Sequence, residues 1–236
     1  MPENIYATEE EIEAGNPLQR NSEWFAARCG CLTGSRVADA LAVSAKTGKP
    51  LKARSDLIEE LVAERLTGNC VEHFQSSAMQ WGTACEEAAR DAYEAETGLP
   101  VDLVGFMHHP TIEWLGASPD GLVGSDGLVE IKCPTSVTHV RRLMNPMLGV
   151  EQYRYQMLLQ LACTGRTWCD LVDYDPRFKD PLQQILIVRF EPKPGELEEF
   201  LIRCQDFLDE VETAVAMTKV GASAAREVRD ADDVQR

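Results

Sequence analysis

The stretch Leu128-Val129-Glu130-Ile131-Lys132-Cys133 sets two opposite charges inside an apolar run. Its length and branched residues predict a strand, and strand side chains alternate between faces. Glu130 and Lys132 therefore share one face, and Val129 and Ile131 take the other. Apolar residues on both sides suggest a strand buried on both faces. Charges in that setting are costly unless they pair or bind a metal. Just upstream, Ser118-Pro119-Asp120-Gly121 places an aspartate at a turn. The segment between the two motifs reads as a hairpin that turns at Asp120-Gly121. Pro134 ends the pairing.

The rest of the chain surrounds this hairpin with helices. Asn21-Ser22-Glu23 offers an N-cap before a short helix from Trp24 to Arg28, and Gly30 ends it. Cys31 to Thr33 is extended, and Gly34-Ser35 opens a helix from Arg36 to Ala42. A basic loop follows from Lys46 to Arg54, and then a helix capped by Ser55 that Gly68 stops. A helix from about Trp81 to Glu96 leads to strands at Val101–His108 and Ile112–Ala117. Residues 136–145 and 150–163 are predicted helical, with Pro146 and Gly149 as breaks. Trp168–Tyr174 and Gln184–Phe190 are predicted strands, and Glu196–Lys219 carries an apolar stripe at helical spacing. Strands flanked by helices on both sides give an α/β or α+β domain with a central mixed sheet. We expect one domain over residues 21–218, an acidic, loosely attached arm over 1–20, and a frayed tail over 219–236.

Composition narrows the partners. The net charge of −16 argues against a general phosphate-binding surface, but local positive charge decides nucleic-acid binding, not the sum. The basic loop at 46–54 reads either as a solvated surface or as a contact for phosphate. No run is long enough to span a membrane, and Met1–Tyr6 shows no leader pattern, so the expected location is cytoplasmic. If a phage encodes the chain, that means the host cytoplasm. The eight cysteines include no Cys-x-x-Cys and read as reduced thiols.

Two convergent carboxylates, Asp120 and Glu130, with few soft ligands nearby suit a hard cation such as Mg2+ or Mn2+. Such ions serve phosphodiester hydrolysis. Lys132 can orient or help deprotonate an attacking water, or balance charge on the phosphorane. Helical phase puts Glu86 beside the apolar face and Glu87 toward water. Glu86 is then either a further ligand or a partner of Arg90. Gln152, Gln156 and Gln160 form a polar row at i, i+4 spacing.

Several motifs occur in a fixed order: Glu23-Trp24-Phe25-x-x-Arg28, Thr33-Gly34-Ser35, Trp81-Gly82-x-x-x-Glu86, Ser118-Pro119-Asp120-Gly121, Glu130-Ile131-Lys132-Cys133-Pro134, Tyr153-x-x-Gln156 and Asp173-Tyr174-Asp175-Pro176-Arg177. Together they resemble the lambda-exonuclease and YqaJ-type viral recombinase nucleases of the PD-(D/E)XK superfamily. The resemblance spans roughly residues 21–215 and implies a restriction-endonuclease-like fold. It also implies a Mg2+-dependent 5′→3′ exonuclease that resects double-stranded DNA ends to 3′ overhangs for a single-strand annealing partner. A homotrimer ring goes with it. By the same resemblance, Asp120, Glu130 and the Ile131 carbonyl hold the metal, and Glu86 serves a second ion. Lys132 and Gln156 attend the water. Arg28, Ser35 and Ser118 bind the DNA 5′-phosphate. Met79 is either a strand-separating wedge or ordinary core packing. Arg141, Arg142 and the 46–54 loop become candidate channel contacts. Two other readings remain: a structure-specific or restriction-type endonuclease, and a non-catalytic DNA-end-binding protein.

Overall fold

The computed structural model describes residues 16–70 and 77–234. Its main sheet has five strands in the order β1-β4-β5-β6-β7. These are β1 (Val101–Asp102), β4 (Gly121–Val123), β5 (Gly127–Lys132), β6 (Trp168–Tyr174) and β7 (Ile185–Phe190). Only β5 and β6 run parallel, so the sheet is mixed as expected. A separate ribbon pairs β2 (Met107–His108) with β3 (Gly116–Ala117).

Helices cover both faces. They are α1 (Ser22–Arg28), α2 (Val37–Ala40), α3 (Lys52–Thr67), α4 (Ser77–Thr97), α5 (Ser136–Met144), α6 (Met147–Thr164) and α7 (Glu196–Val234). On one face Leu128, Cys169, Leu171 and Phe190 pack with Leu158 and Leu161 of α6 and Phe200 and Phe207 of α7. On the other, Val129, Ile131, Val172 and Tyr174 pack with Ala89 and Tyr93 of α4. The alternation expected of β5 therefore holds: its apolar pair meets α4 while Glu130 and Lys132 face α6.

Several boundaries differ from expectation for identifiable reasons. The β4–β5 hairpin turns at 124–126, not at Asp120-Gly121, and Gly124 there has a φ of +55°. Asp120 instead precedes β4, and a Cβ on Gly121 would lie 2.0 Å from Val101 Cγ1. The expected strand 101–108 splits because the Val104 carbonyl accepts from the side chains of Asn16 and Gln19 rather than from a strand. Those bonds also correct the loose arm: Asn16 and Gln19 are buried. Residues 1–15, the greater part of that arm, lie outside the described residues.

Gly149 does not break α6. A Cβ there would stand 3.0 Å from Leu171 Cδ2, so glycine lets the helix lie close to the sheet. The helix α7 continues to Val234 instead of ending near Lys219, since alanine and charged residues sustain helix without an apolar stripe. The basic segment is corrected too. Its end forms the first turn of α3, where Lys52 pairs with Asp56 and buried Arg54 bonds the Ala40 carbonyl and Glu210. Lys46 and Lys49 stay exposed.

Candidate active site

Strand β5 ends at a cleft of about 1330 Å³, lined by Arg28, Ser35, Glu86, Asp120, Glu130 and Gln156, each from a different segment. Glu130 is 1% exposed. Burial of that depth requires partners, and α6 supplies them. Gln156 Nε2 donates to Glu130 Oε1 at 2.5 Å, and Gln160, one turn further on, donates to Oε2. Lys132 pairs with Oε1 of the same carboxylate, and its Nζ lies 4.6 Å from the centroid of the Tyr153 ring. Burial disfavours the ammonium, but Glu130 and Asp120 outweigh it and hold the Lys132 pKa above its usual range.

Asp120 reaches the same spot from the edge of β4. Its Oδ2 accepts from the Ile131 amide at 2.6 Å, which locks the aspartate to β5 two residues beyond Val129, the last residue of the hairpin pairing. A strand residue's N–H and C=O point to the same side, so the Ile131 carbonyl also leaves toward Asp120. Burial, followed by the like charges of Glu130 and Glu86, pushes the Asp120 carboxyl well above the usual carboxylate range. Crowded carboxylates with a shared proton demand are what a cation relieves.

Helical phase selected Glu86 over Glu87, and the structure agrees: Glu86 is buried and lines the cleft while Glu87 is exposed. Its partner is not Arg90. Arg20 Nη2 donates to Glu86 Oε2 at 2.6 Å, and Glu86 Oε1 is buried with no hydrogen-bond partner among the described residues. The donors fit a hard divalent cation: two acid side chains, a backbone carbonyl and an orphan carboxylate oxygen. Among the described residues no group of three or more His, Cys, Asp or Glu side chains is arranged to hold a metal ion by itself. Mg2+ does not need one, because it retains waters and takes substrate oxygens.

The second half of the cleft is built on Arg28. Its guanidinium stacks 4.0 Å from the Trp24 ring centroid, and its bonds go to hydroxyls: Nη1 to Ser118 Oγ at 3.4 Å and Nη2 to Thr33 Oγ1 at 3.5 Å. Thr33 in turn lies 3.5 Å from Ser35 Oγ. The side chains of Arg28, Ser35 and Ser118 thus come together, and no carboxylate pairs with Arg28 among the described residues. Burial first, then Arg36, pulls the Arg28 pKa down to about 10. A desolvated guanidinium with neutral partners is chemically suited to bind an anion.

Two residues of the site were not singled out from the sequence. Gln160 appeared only as part of a polar row. Trp24, whose Nε1 donates to Ser118 Oγ at 2.9 Å, appeared only within a motif. Two expected DNA contacts do not survive. Arg142 is buried, paired with Asp173 and bonded to Gln152, so it cannot face a channel, whereas Arg141 is exposed. Arg54 is tied down as described above. Met79 lies within α4, but its side chain is outside the described residues.

Residues 23–167 match the model of the YqaJ-like viral recombinase domain. The chain belongs to this family. LHK-Exo, an alkaline exonuclease from Laribacter hongkongensis, is 41% identical, with a TM-score of 0.78 over 87% of this chain and all (100%) of that one. LHK-Exo in complex with dAMP gives a TM-score of 0.79 at the same identity and coverage. A phage-related exonuclease from Haemophilus somnus 129PT shares the fold at 13% identity, with a TM-score of 0.59 over 78% of this chain and 96% of that one. No curated protein sequence matches the chain. No helix among the described residues is long and apolar enough to cross a membrane.

Proposed function

We propose that the chain is a Mg2+-dependent 5′→3′ exonuclease of double-stranded DNA, with Mn2+ able to replace Mg2+, that resects linear ends to 3′ overhangs for recombination by strand annealing. One observation carries this reading. The Arg28 anion pocket and the Asp120–Glu130–Lys132 cluster open into one cleft, joined through Ser118 and Asp120, which are separated by a single residue. An enzyme that acts inside a strand has no use for a terminal-phosphate clamp.

In this reading Arg28, Ser35 and Ser118 hold the terminal phosphate, with Trp24 fixing the guanidinium plane. Asp120, Glu130 and the Ile131 carbonyl would hold the metal, and Glu86 a second one. A bound ion supplies Lewis-acid polarisation of the scissile phosphate and a more acidic water. Lys132, kept cationic by Glu130, sits beside the reacting centre and steadies the water or the negative charge that develops on phosphorus. Gln156 and Gln160 keep Glu130 from rotating. Hydrolysis at the first linkage releases a 5′-mononucleotide, which is the class of molecule seen with LHK-Exo as dAMP.

A homotrimer ring around duplex DNA, and delivery of the overhang to a single-strand annealing protein, belong to the same proposal. The exposed residues Val137, Val140 and Met144 form an apolar stripe on α5 that a protein neighbour could cover. The test is degradation of linear duplexes labelled at either end, with and without a 5′-phosphate, in Mg2+. Loss of label from 5′-phosphorylated ends supports the proposal. Release from 3′ ends only, or nicking of closed circles, overturns it. Light scattering after gel filtration checks the assembly, and a monomer would remove the ring.

A further inference from the structure

The geometry points to Arg20 as a tethered counter-ion that holds Glu86 and yields it to a divalent cation. This inference rests on the proposed metal-dependent reading of the cleft.

Arg20 is not a surface arginine that happens to reach a glutamate. It has a φ of +64°, a left-handed conformation unfavourable for a residue with a Cβ. Such a backbone persists where its surroundings over-determine it. Here the preceding residues do so. Asn16 Nδ2 and Gln19 Nε2 both donate to the Val104 carbonyl, at 2.8 and 3.0 Å. Gln19 Nε2 also donates to the Pro119 carbonyl at 2.9 Å, adjoining Asp120. The strap passes so close to Gly105 that a Cβ there would meet the Leu18 carbonyl oxygen at 3.0 Å. Residues 16–20 are thus fastened to the same backbone that presents Asp120, and they deliver one guanidinium to Glu86.

Charge gives that delivery a purpose. Asp120, Glu130 and Glu86 are mutually close enough for the latter two to act on Asp120. Lys132 is committed to Glu130, which leaves Glu86 to be balanced by Arg20. Arg90, the helical neighbour of Glu86, does not take its place, and Arg90 Nη1 is buried without a hydrogen-bond partner among the described residues. Only one Glu86 oxygen is used. The buried Oε1 has no donor among the described residues, so the carboxylate is half-satisfied and is poised to ligate. A cation arriving at Glu86 must displace or share with Arg20. The Arg20 side chain is 31% exposed and can swing toward solvent, whereas the 7%-exposed Glu86 side chain cannot.

This arrangement has a sign that distinguishes it from simple bracing. A brace would weaken metal binding when removed. A resident cation, when removed, leaves the carboxylates in greater need of a metal. The test is Mn2+ titration of the full-length wild type and Arg20→Gln by calorimetry, beside melting temperatures in EDTA and in saturating Mn2+. Arg20→Gln is expected to bind Mn2+ roughly tenfold more tightly, the scale set by losing a unit positive charge a few ångströms away in a screened site. It should melt lower than wild type in EDTA and regain most of the deficit in Mn2+. In a Glu86→Gln background the Arg20 substitution should no longer change Mn2+ affinity. Unchanged or weaker Mn2+ binding, or a melting deficit that Mn2+ does not narrow, overturns the inference while leaving the metal site standing. Failure of both Arg20→Gln and Arg20→Met to fold even in Mn2+ assigns a structural role and also overturns it. Absence of saturable Mn2+ binding by the wild type instead sinks the metal reading itself.

Discussion

Gly34 lies against Gln156: a Cβ on Gly34 would stand 3.1 Å from Gln156 Cγ. This contact ties the Thr33-Gly34-Ser35 turn of the proposed anion pocket to the glutamine that bonds Glu130. A methyl group at Gly34 must push Gln156 by a few tenths of an ångström, and a larger side chain must push it further. Gly34→Ala is expected to lower turnover several-fold, and Gly34→Val to lower it more, while affinity for a 5′-phosphorylated end changes less. Steady-state kinetics on end-labelled duplex separate the two. Equal effects on KM alone would show that the contact serves binding only.

Gln160 extends the same support. It is 1% exposed, and its amide reaches the Glu130 oxygen that Gln156 does not. Outer partners of a ligating carboxylate commonly matter by about 10–100-fold in activity or metal affinity. Gln160→Leu keeps the packing volume and removes the donor. We expect a loss of that order in Mg2+-dependent cleavage with a melting temperature near that of the wild type. Wild-type cleavage by Gln160→Leu would show that Gln156 alone orients Glu130.

Lys132 lines the cleft beside Tyr153 and pairs with Glu130. Lys132→Ala is expected to reduce cleavage by about 100-fold or more, the scale of a positioned charge or proton-transfer group. Binding to a blunt 5′-phosphorylated duplex, measured in Ca2+ by fluorescence anisotropy, should stay near wild type. Arg28→Ala should do the reverse: it should erase the preference for 5′-phosphorylated over 5′-hydroxyl ends. Retention of that preference in Arg28→Ala would move the phosphate site elsewhere.

The sequence made the central strand legible because period-two alternation of charge and apolar residues has few other solutions. Glu130 and Lys132 could be placed on one face, and Glu86 could be preferred to Glu87, from phase alone. The partner of Glu86 was not legible, because Arg20 is 66 residues away and reaches it through an irregular strap with no period. The same limit hid Asn16 and Gln19, which looked like part of a polar arm until the Val104 and Pro119 carbonyls gave them acceptors. Arg142 failed for a related reason. Helix α5 is inverted, burying His139 and Arg142 while exposing Val137, Val140 and Met144, so polarity pointed to the wrong face.

That inversion has a measurable consequence at Arg142. Its guanidinium bonds Asp173 inside the protein, with side-chain exposures of 4% and 3%. Removing Arg142 leaves the buried Asp173 with His139 alone beside it, and breaking a buried pair commonly costs about 3–5 kcal/mol. Arg142→Ala is therefore expected to lower stability by roughly that amount. Intrinsic DNA affinity of the folded fraction should be unchanged. Urea denaturation and anisotropy on the same sample distinguish this from a channel contact, for which stability would hold and affinity would fall.

His139 shares Asp173 with Arg142 and adds a pH dependence. Its Nδ1 lies 2.6 Å from Asp173 Oδ1 and its Nε2 lies 2.8 Å from the Gln183 carbonyl oxygen. Burial alone would lower the His139 pKa, but these two acceptors together outweigh it and raise the value above 6.5. A raised folded pKa means that protonation favours the folded state. The stabilisation is complete below the unfolded value, near 6.5, and fades as pH climbs through the folded one. Wild type minus His139→Gln stability should accordingly be largest at about pH 5.5–6 and shrink toward alkaline pH, on the linkage between unfolded and folded titration. Chemical denaturation of both proteins across that range is the check. A difference that grows as pH rises would mean that His139 is held neutral, with Arg142 alone balancing Asp173.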